Sequence, residues 1–246
     1  MHAAVPYCGV APVPGELLAR FNLDPALFVA LFFALALHIR CQPDATERES
    51  RRIVTGWSIV AFALISPLCA LSVALLSARV AQLLLLLFVA APLIATGATP
   101  ARRSAGSAGR AATAFAALLW FWLLPAPYQV TFSSTGAFWC MHVSLLASAV
   151  WLWRELLHYP AEQSSPALVA GLCTCIQLGL LGTALSLARH PIYAPHFTTT
   201  AAFGLTTLED QELAGALMLV PAIGLALVIA ARWLTRLRSS LEGARA

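Results

Sequence analysis

Long apolar segments are the feature that most restricts how this chain can fold. A helix needs about 20 predominantly apolar residues to cross a bilayer, within a range of about 17–25. Only 11% of the residues are charged and the mean hydropathy is +0.79, whereas soluble domains carry about 25% charged residues. We therefore predict an all-α polytopic membrane protein with a seven-transmembrane-helix bundle. The predicted spans are about 25–40, 53–76, 79–98, 111–126, 136–157, 166–188 and 208–232.

The residues before the first apolar segment, 1–24, are predicted to form a short extracytoplasmic arm. They contain no basic region and no apolar run, so they lack the pattern of a cleavable signal peptide. Asp24 followed by Pro25 is typical of a helix N-cap and its first helical residue. We predict that the membrane domain covers residues 25–235 and that residues 236–246 form a basic cytoplasmic tail.

The arginines indicate the orientation of the bundle, because the chain has no lysine. With seven spans, one side of the membrane carries most of them, and the positive-inside rule makes that side cytoplasmic. The N-terminus is then outside and the C-terminus cytoplasmic, and the net charge of +4 gives no reason to expect a nucleic-acid partner. The richer side has Arg40, Arg48, Arg51, Arg52, Arg102, Arg103, Arg110, Arg154, Arg232, Arg236, Arg238 and Arg245, and the other has Arg20, Arg79 and Arg189.

A cluster of acids stands at the start of the last apolar segment. Thr207 and Asp210 have the spacing of a capping box, in which a hydroxyl and a carboxylate satisfy free N–H groups of the first helical turn. Gln211, Gly215 and Met218 share one helical stripe with a small residue at its centre. Since small residues let membrane helices approach closely, we predict that this stripe faces the bundle.

Five sequence blocks together resemble the CtaG family of cytochrome c oxidase assembly proteins. They are "AQLLLLLFVAAPLIATG" (81–97), "FWLLPAPY" (121–128), "FWCMHVSLL" (138–146), "RHPIYAPH" (189–196) and "LEDQELAG" (208–215). The resemblance implies a seven-helix protein of the cell inner (plasma) membrane that helps deliver copper to a haem-copper oxidase. It also implies oxidase subunits, a copper donor protein and the lipid bilayer as partners.

The histidine pattern departs from that family. Members usually carry histidines in a third-helix motif like His-x-x-Gln-His, where this chain has Arg79, Gln82 and Leu83. Leu124 stands where a further histidine is often found, whereas His142 is kept. The resemblance therefore implies the fold more strongly than it implies a copper site.

Copper favours imidazole, thiolate and thioether ligands, and four residues are candidates for a transient copper site: His142, His190, His196 and Asp210. Each also has a structural interpretation. A hydrogen bond to a backbone carbonyl would satisfy His142, His190 and His196 would be loop residues, and Asp210 would be a helix cap. Cys69, Cys140, Cys173 and Cys175 are predicted to be small packing residues.

No catalytic motif, phosphate-binding loop or pair of intramembrane carboxylates is present in the sequence, so we predict a protein that is not an enzyme. Three functions stay open: support of copper-centre maturation, metal-free escort of oxidase subunits, and copper transport. The absence of a charged site at the middle of the membrane disfavours transport. Aromatic residues including Tyr128 and Tyr193 are predicted to lie in an interfacial belt.

Overall fold

All regular structure in the described residues, 5–96, 107–158 and 165–243, is helical in the computed structural model of the protein. A π-helical segment, Leu85–Ala90, joins two of the helices, and short 3-10 turns lie at Pro14–Ala19, Ala194–His196 and Thr200–Phe203. The all-α prediction is confirmed. The helices are α1 (Pro25–Arg40), α2 (Glu47–Ile65), α3 (Pro67–Ala74), α4 (Leu76–Leu84), α5 (Ala91–Ala95), α6 (Ser107–Leu123), α7 (Pro125–Ser133), α8 (Thr135–His158), α9 (Ser165–Ser186) and α10 (Thr207–Gly243).

Four segments of the described chain are long and apolar enough to cross a membrane: Leu76–Ala95, Thr135–Leu157, Pro166–Ser186 and Thr207–Leu227. Two helix pairs are bent, α2 with α3 by 52° and α6 with α7 by 70°. Counting each bent pair as one span gives two more spans. The 16-residue α1 is apolar but shorter. The structure thus supports four to six spans in the residues it describes, and the seven-span count stays a prediction.

Proline sets both bends. Ser66 ends α2 in an extended conformation and its hydroxyl accepts a hydrogen bond from the Leu68 N–H, with Pro67 at the first position of α3. Pro125 likewise stands at the first position of α7, after Leu124 in an extended conformation but without a side-chain cap. Proline lacks the N–H that would continue the preceding helix, but it suits the first turn of a new one. The segments predicted as spans at 53–76 and 111–126 are therefore each interrupted by a bend.

The N-terminal arm is fixed to the bundle. Cys8 forms a disulfide with Cys69 of α3, so the prediction that Cys69 is a packing residue is wrong. The Tyr7 hydroxyl donates to Asp24 at 2.7 Å, and its ring lies 4.8 Å from that of Phe138. Burial and this acidic partner raise the pKa of Tyr7 to about 12. Asp24 also accepts from the Ala26 N–H, which confirms it as the N-cap of α1.

The stripe predicted on α10 does face the bundle. Gln211 and Met218 are buried, and α9 packs along α10 at a crossing of two glycines. A β-carbon at Gly215 would lie 2.5 Å from the carbonyl oxygen of Gly182, and one at Gly182 would lie 2.7 Å from that of Gly215. The two backbones therefore touch, which is what small residues allow between membrane helices.

Some predictions fall outside the described residues. They concern the basic loop containing Arg102 and Arg103 and the last residues of the predicted tail, 244–246.

Candidate functional site

Asp210 lies at the junction of α10 with α4 and is fully buried. Its carboxylate accepts hydrogen bonds from the backbone N–H groups of Leu76 at 2.6 Å and Ser77 at 3.1 Å, and from the Ser77 hydroxyl. These are the free N–H groups of the first turn of α4, where the helix dipole also favours a negative charge. Asp210 therefore caps a different helix from the one that carries it.

This arrangement corrects the capping box predicted at Thr207 and Asp210. The cap of α10 is formed one residue earlier, because the Glu209 carboxylate accepts from the Thr206 N–H at 2.7 Å and the Thr206 hydroxyl accepts from the Glu209 N–H at 3.2 Å. Glu209 is exposed, whereas Asp210 points inward. The adjacent acids thus have separate roles.

Gln211 ties the loop between α9 and α10 to the same junction. Its side-chain oxygen accepts from the Ile192 N–H at 2.8 Å, and its amide nitrogen donates to the Leu185 carbonyl at 3.3 Å. The Thr199 hydroxyl donates to the carbonyl of Ala74 at the end of α3. The polar groups freed by the α3–α4 break are therefore satisfied from the loop and from α10.

Arg79 is a buried cation one turn into α4, with 2% of its surface exposed. Its guanidinium donates to the Thr131 hydroxyl at 2.6 Å, and Nε has no hydrogen-bond partner. The described residues provide no carboxylate within ion-pair distance of it. Three aromatic rings surround it instead, with the guanidinium carbon 5.1 Å from the Tyr128 centroid, 4.6 Å from Phe132 and 5.8 Å from Phe138. Cation–π attraction is strongest where the cation is desolvated, as here.

His196 joins this cluster through Tyr128. The two side chains share a hydrogen bond of 2.7 Å between the Tyr128 hydroxyl and Nε2, and His196 is almost fully buried. Its Nδ1 lacks a hydrogen bond of acceptable geometry. Burial lowers the pKa of His196 to about 4, and the Arg79 charge adds to this, while the nearby Ala74 carbonyl opposes it.

Tyr128 and Tyr193 are both buried, so their predicted place in an interfacial belt is wrong. The Tyr193 hydroxyl donates to the Leu123 carbonyl, which the α6–α7 break leaves free. The two rings lie 4.5 Å apart and form one wall of the cluster. These tyrosines support the polar junction and do not anchor the protein at the membrane surface.

His142 lies next to Phe138, whose ring is also close to Arg79. Its Nδ1 is 2.9 Å from the Phe138 carbonyl and its ring centroid is 4.1 Å from that of Phe138. Nε2 is buried without a hydrogen-bond partner. The predicted backbone hydrogen bond is present, but it satisfies only one of the two ring nitrogens.

The structure brings together some of the predicted site residues. Three of them are each linked to Arg79 by one intermediate. Tyr128 links His196 to Arg79, the first turn of α4 links Asp210, and Phe138 links His142. His190 is an exposed loop residue apart from them. Within the described ranges, no three His, Cys, Asp or Glu side chains converge in a way that would hold a metal ion.

Arg79 is the residue whose role sequence reasoning missed, since it was treated as one of the outer arginines and as the replacement of a family histidine. A charge inside the apolar segment 76–95 was the available signal, because intramembrane ionisable residues are costly and often functional. The Cys8–Cys69 pairing gave no such signal, since 61 positions separate the two cysteines.

One comparison with known proteins identifies a family. The chain matches the family described as cytochrome c oxidase caa3 assembly factor (Caa3_CtaG) over residues 30–240. No curated protein and no solved structure matches the chain. The match covers the helices that form the Asp210 junction and the Arg79 cluster, and it confirms the resemblance found in the five sequence blocks.

Proposed function

The chain belongs to the cytochrome c oxidase caa3 assembly factor family, and we propose that it supports copper-centre maturation of a haem-copper oxidase in the inner membrane. The family match carries this proposal. Copper is here the cargo of the process, passed from a donor protein to the oxidase, and the protein is a non-catalytic helper of that transfer.

The residues proposed for copper suit a resident centre poorly. Nε2 of His196 is taken by Tyr128, and both Asp210 oxygens accept hydrogen bonds from the first turn of α4. Cys8 and Cys69 are joined as a disulfide, so neither offers a thiolate. His142 keeps a free Nε2, which alone supports at most a passing contact with the metal. We therefore favour direct contact with oxidase subunits as the way in which the chain assists maturation.

The arrangement in the membrane belongs to the same proposal. We infer seven spans, with α1 as the first, an extracytoplasmic N-terminus and a cytoplasmic C-terminus. The Cys8–Cys69 disulfide supports this orientation independently of the arginines, because disulfides persist on the oxidising side of a membrane. The Asp210 junction then lies on the extracytoplasmic side of the membrane.

A groove between α6 and α9 offers a surface for a subunit helix. It has a volume of about 610 Å³ and small side chains along one wall, including Gly109, Thr113 and Ala116. Gln177 lines it with 8% of its surface exposed, and its Oε1 has no hydrogen-bond partner. Small residues on one wall let a partner helix approach the backbone of α6 closely.

The groove can be tested in a strain that lacks the chromosomal gene. Thr113→Trp fills the groove from an exposed position, and Ala117→Trp is the matched control, exposed on α6 but outside the groove. We expect Thr113→Trp to lower oxidase activity and oxidase copper content while its own membrane level holds, and the control to restore both. Equal restoration by the two variants would contradict the groove as the contact surface.

Copper binding is measured separately on the purified protein. We expect less than one tightly held copper per chain after gel filtration, and no dependence on His142→Ala. A stoichiometric copper lost in that variant would instead support a copper-carrying function. Copper flux into proteoliposomes that contain only this chain would support transport.

A further inference from the structure

The N-terminal arm exposes large apolar side chains directly before α1. Leu18 is 84% exposed, Phe21 is 53% exposed and Leu23 is 70% exposed. The arm does not hang free, because the Cys8–Cys69 disulfide fixes it to α3. Apolar surface concentrated in one place indicates contact with a membrane or with another molecule. The depth of the arm in the bilayer distinguishes between these two.

The length of α1 gives a first measure of that depth. Its 16 residues extend about 24 Å at 1.5 Å per residue, whereas the hydrocarbon core is about 30 Å thick. Arg40, the last residue of α1, belongs at the cytoplasmic interface. With α1 as the first span, about 6 Å of hydrocarbon lies beyond its outer end at Pro25. The residues just before Pro25 are the part of the chain that can fill this distance.

The neighbouring helix α2 gives a second measure. The N–H of Asn22 donates to the carbonyl of Ile65, the last residue of α2, at 2.8 Å. Residues 53–65, which follow Arg52 on the cytoplasmic side, rise about 20 Å along the helix. Ile65 is then about 10 Å inside the outer boundary of a hydrocarbon core of about 30 Å. Both helices therefore place the end of the arm within the outer leaflet.

The polar groups of the arm suit a place with little water. The N–H groups of Arg20, Phe21 and Asn22 all donate to backbone carbonyls, which matters because an unpaired N–H is costly in a bilayer. The charge of Arg20 is paired with Glu16. A long arginine side chain also reaches from an apolar surface to the headgroups. Nothing in residues 20–22 thus opposes a position at the edge of the hydrocarbon.

We propose that residues 18–23 form an interfacial anchor, in which the three exposed apolar side chains contact lipid at the boundary between headgroups and acyl chains of the outer leaflet. The anchor completes the first span, so this inference rests on α1 being that span, as in the proposed function. Its apolar surface continues along the chain into α1, where Phe28 and Phe32 are also exposed. Apolar side chains at this depth, with charged neighbours, are typical of segments that lie in the plane of a membrane interface.

Fluorescence quenching measures the depth of the anchor. The full-length protein, with its four free cysteines replaced by alanine and its disulfide left unreduced, receives one new cysteine carrying a nitrobenzoxadiazole label. In phosphatidylcholine nanodiscs, the label in Leu18→Cys should be quenched by lipids brominated on the upper part of the acyl chain and protected from aqueous iodide. Phe32→Cys, within α1, is the control for hydrocarbon, and His190→Cys, in an exposed loop, is the control for water.

The controls separate the possible failures. Iodide quenching in Leu18→Cys as strong as in His190→Cys, with Phe32→Cys still quenched by lipid, would overturn the anchor and keep α1 as a span. Such a result, repeated in Phe21→Cys, would mean that the arm is left in water for a protein partner to cover. Iodide quenching in Phe32→Cys would remove α1 from the spans and the anchor with it. None of these outcomes depends on oxidase activity or copper content, so each is distinguishable from a failure of the proposed assembly function.

Discussion

The carboxylate of Asp210 caps the helix that begins at Leu76, 134 residues earlier in the chain. This contact joins α10 to α4, and three donors converge on one side chain. Each donor belongs to a helix start that would otherwise be buried without a partner. Asp210 therefore forms a long-range tertiary contact by capping the N-terminus of another helix.

Asp210→Asn tests this contact. Asn offers one acceptor oxygen and turns an N–H₂ donor toward the N–H groups of α4, so we expect the free energy of unfolding to fall by about 1–3 kcal/mol. SDS-induced unfolding in mixed micelles measures it. Glu209→Gln is the control, because Glu209 is exposed and a Gln keeps an acceptor for Thr206. Equal stability of the two variants would contradict the cross-helix cap.

Substitution of Arg79 tests whether this buried charge has a function. A buried cation without an acid partner contributes little to stability, and apolar replacements of buried charges are often neutral or stabilising. We therefore expect Arg79→Met to keep the wild-type membrane level and thermal stability but to lower oxidase activity in a complemented deletion strain.

The control for Arg79 is Arg20→Met, which removes an exposed arginine that pairs with Glu16. It should restore full oxidase activity. Full activity of Arg79→Met would reduce the Arg79 cluster to a packing feature, and loss of its protein level would show that the charge is needed for folding.

Sequence predicted the helices well because apolar length and proline position are local signals. The start of α1 at Asp24 and the inward face of Gln211, Gly215 and Met218 could be read from neighbouring residues. The bends at Pro67 and Pro125 could not, because proline within an apolar segment is compatible with either a kinked span or a broken one.

The candidate site depends on contacts between distant residues, and sequence alone could not supply them. Asp210 was recognised as a cap, but the choice of α4 over its own helix is a consequence of packing. Tyr128 and Tyr193 looked interfacial because each stands near a helix end, yet Tyr128 follows the α6–α7 break, Tyr193 lies in the connection between α9 and α10, and both are buried. His142 was predicted to be satisfied or functional, and the structure adds that one of its nitrogens is left free.

The Cys8–Cys69 disulfide predicts a definite pattern of thiol labelling. The chain has six cysteines, of which Cys41, Cys140, Cys173 and Cys175 are free. Under denaturing conditions a maleimide-polyethylene glycol reagent should add to four thiols before reduction and six after it. Cys8→Ala should show five under both conditions, since Cys69 is released. Six labelled thiols in the unreduced wild type would rule the disulfide out.

Because His196 is buried, we predict that the protein loses stability as the pH falls. Burial lowers its pKa from the usual 6.5 to about 4, so the unfolded chain binds a proton there more readily than the folded protein does. The free energy of unfolding is therefore highest above about pH 6.5 and falls as the pH drops toward 4. Between pH 7 and pH 5 we expect it to fall by about 2 kcal/mol.

His196→Gln should remove that part of the pH dependence while keeping a hydrogen-bonding group toward Tyr128. His190→Gln, at an exposed loop position, should leave the wild-type dependence unchanged. Unfolding free energies at pH 7 and pH 5 for the three proteins decide the matter. A wild-type slope in His196→Gln would mean that other groups cause the acid sensitivity.

Gly215→Ala tests the contact between α9 and α10. The new methyl group would lie 2.5 Å from the Gly182 carbonyl oxygen and 2.7 Å from the Ser186 nitrogen, both backbone atoms that cannot rotate away. The helices must separate, so we expect a loss of about 1–3 kcal/mol, as for other overpacked sites. Gly224→Ala lies on the same helix with no heavy atom within 4 Å, and there alanine should stabilise by about 0.5–1 kcal/mol. Opposite signs for two identical substitutions on one helix are the expected result, and stabilisation by both would mean that α9 and α10 do not meet at these glycines.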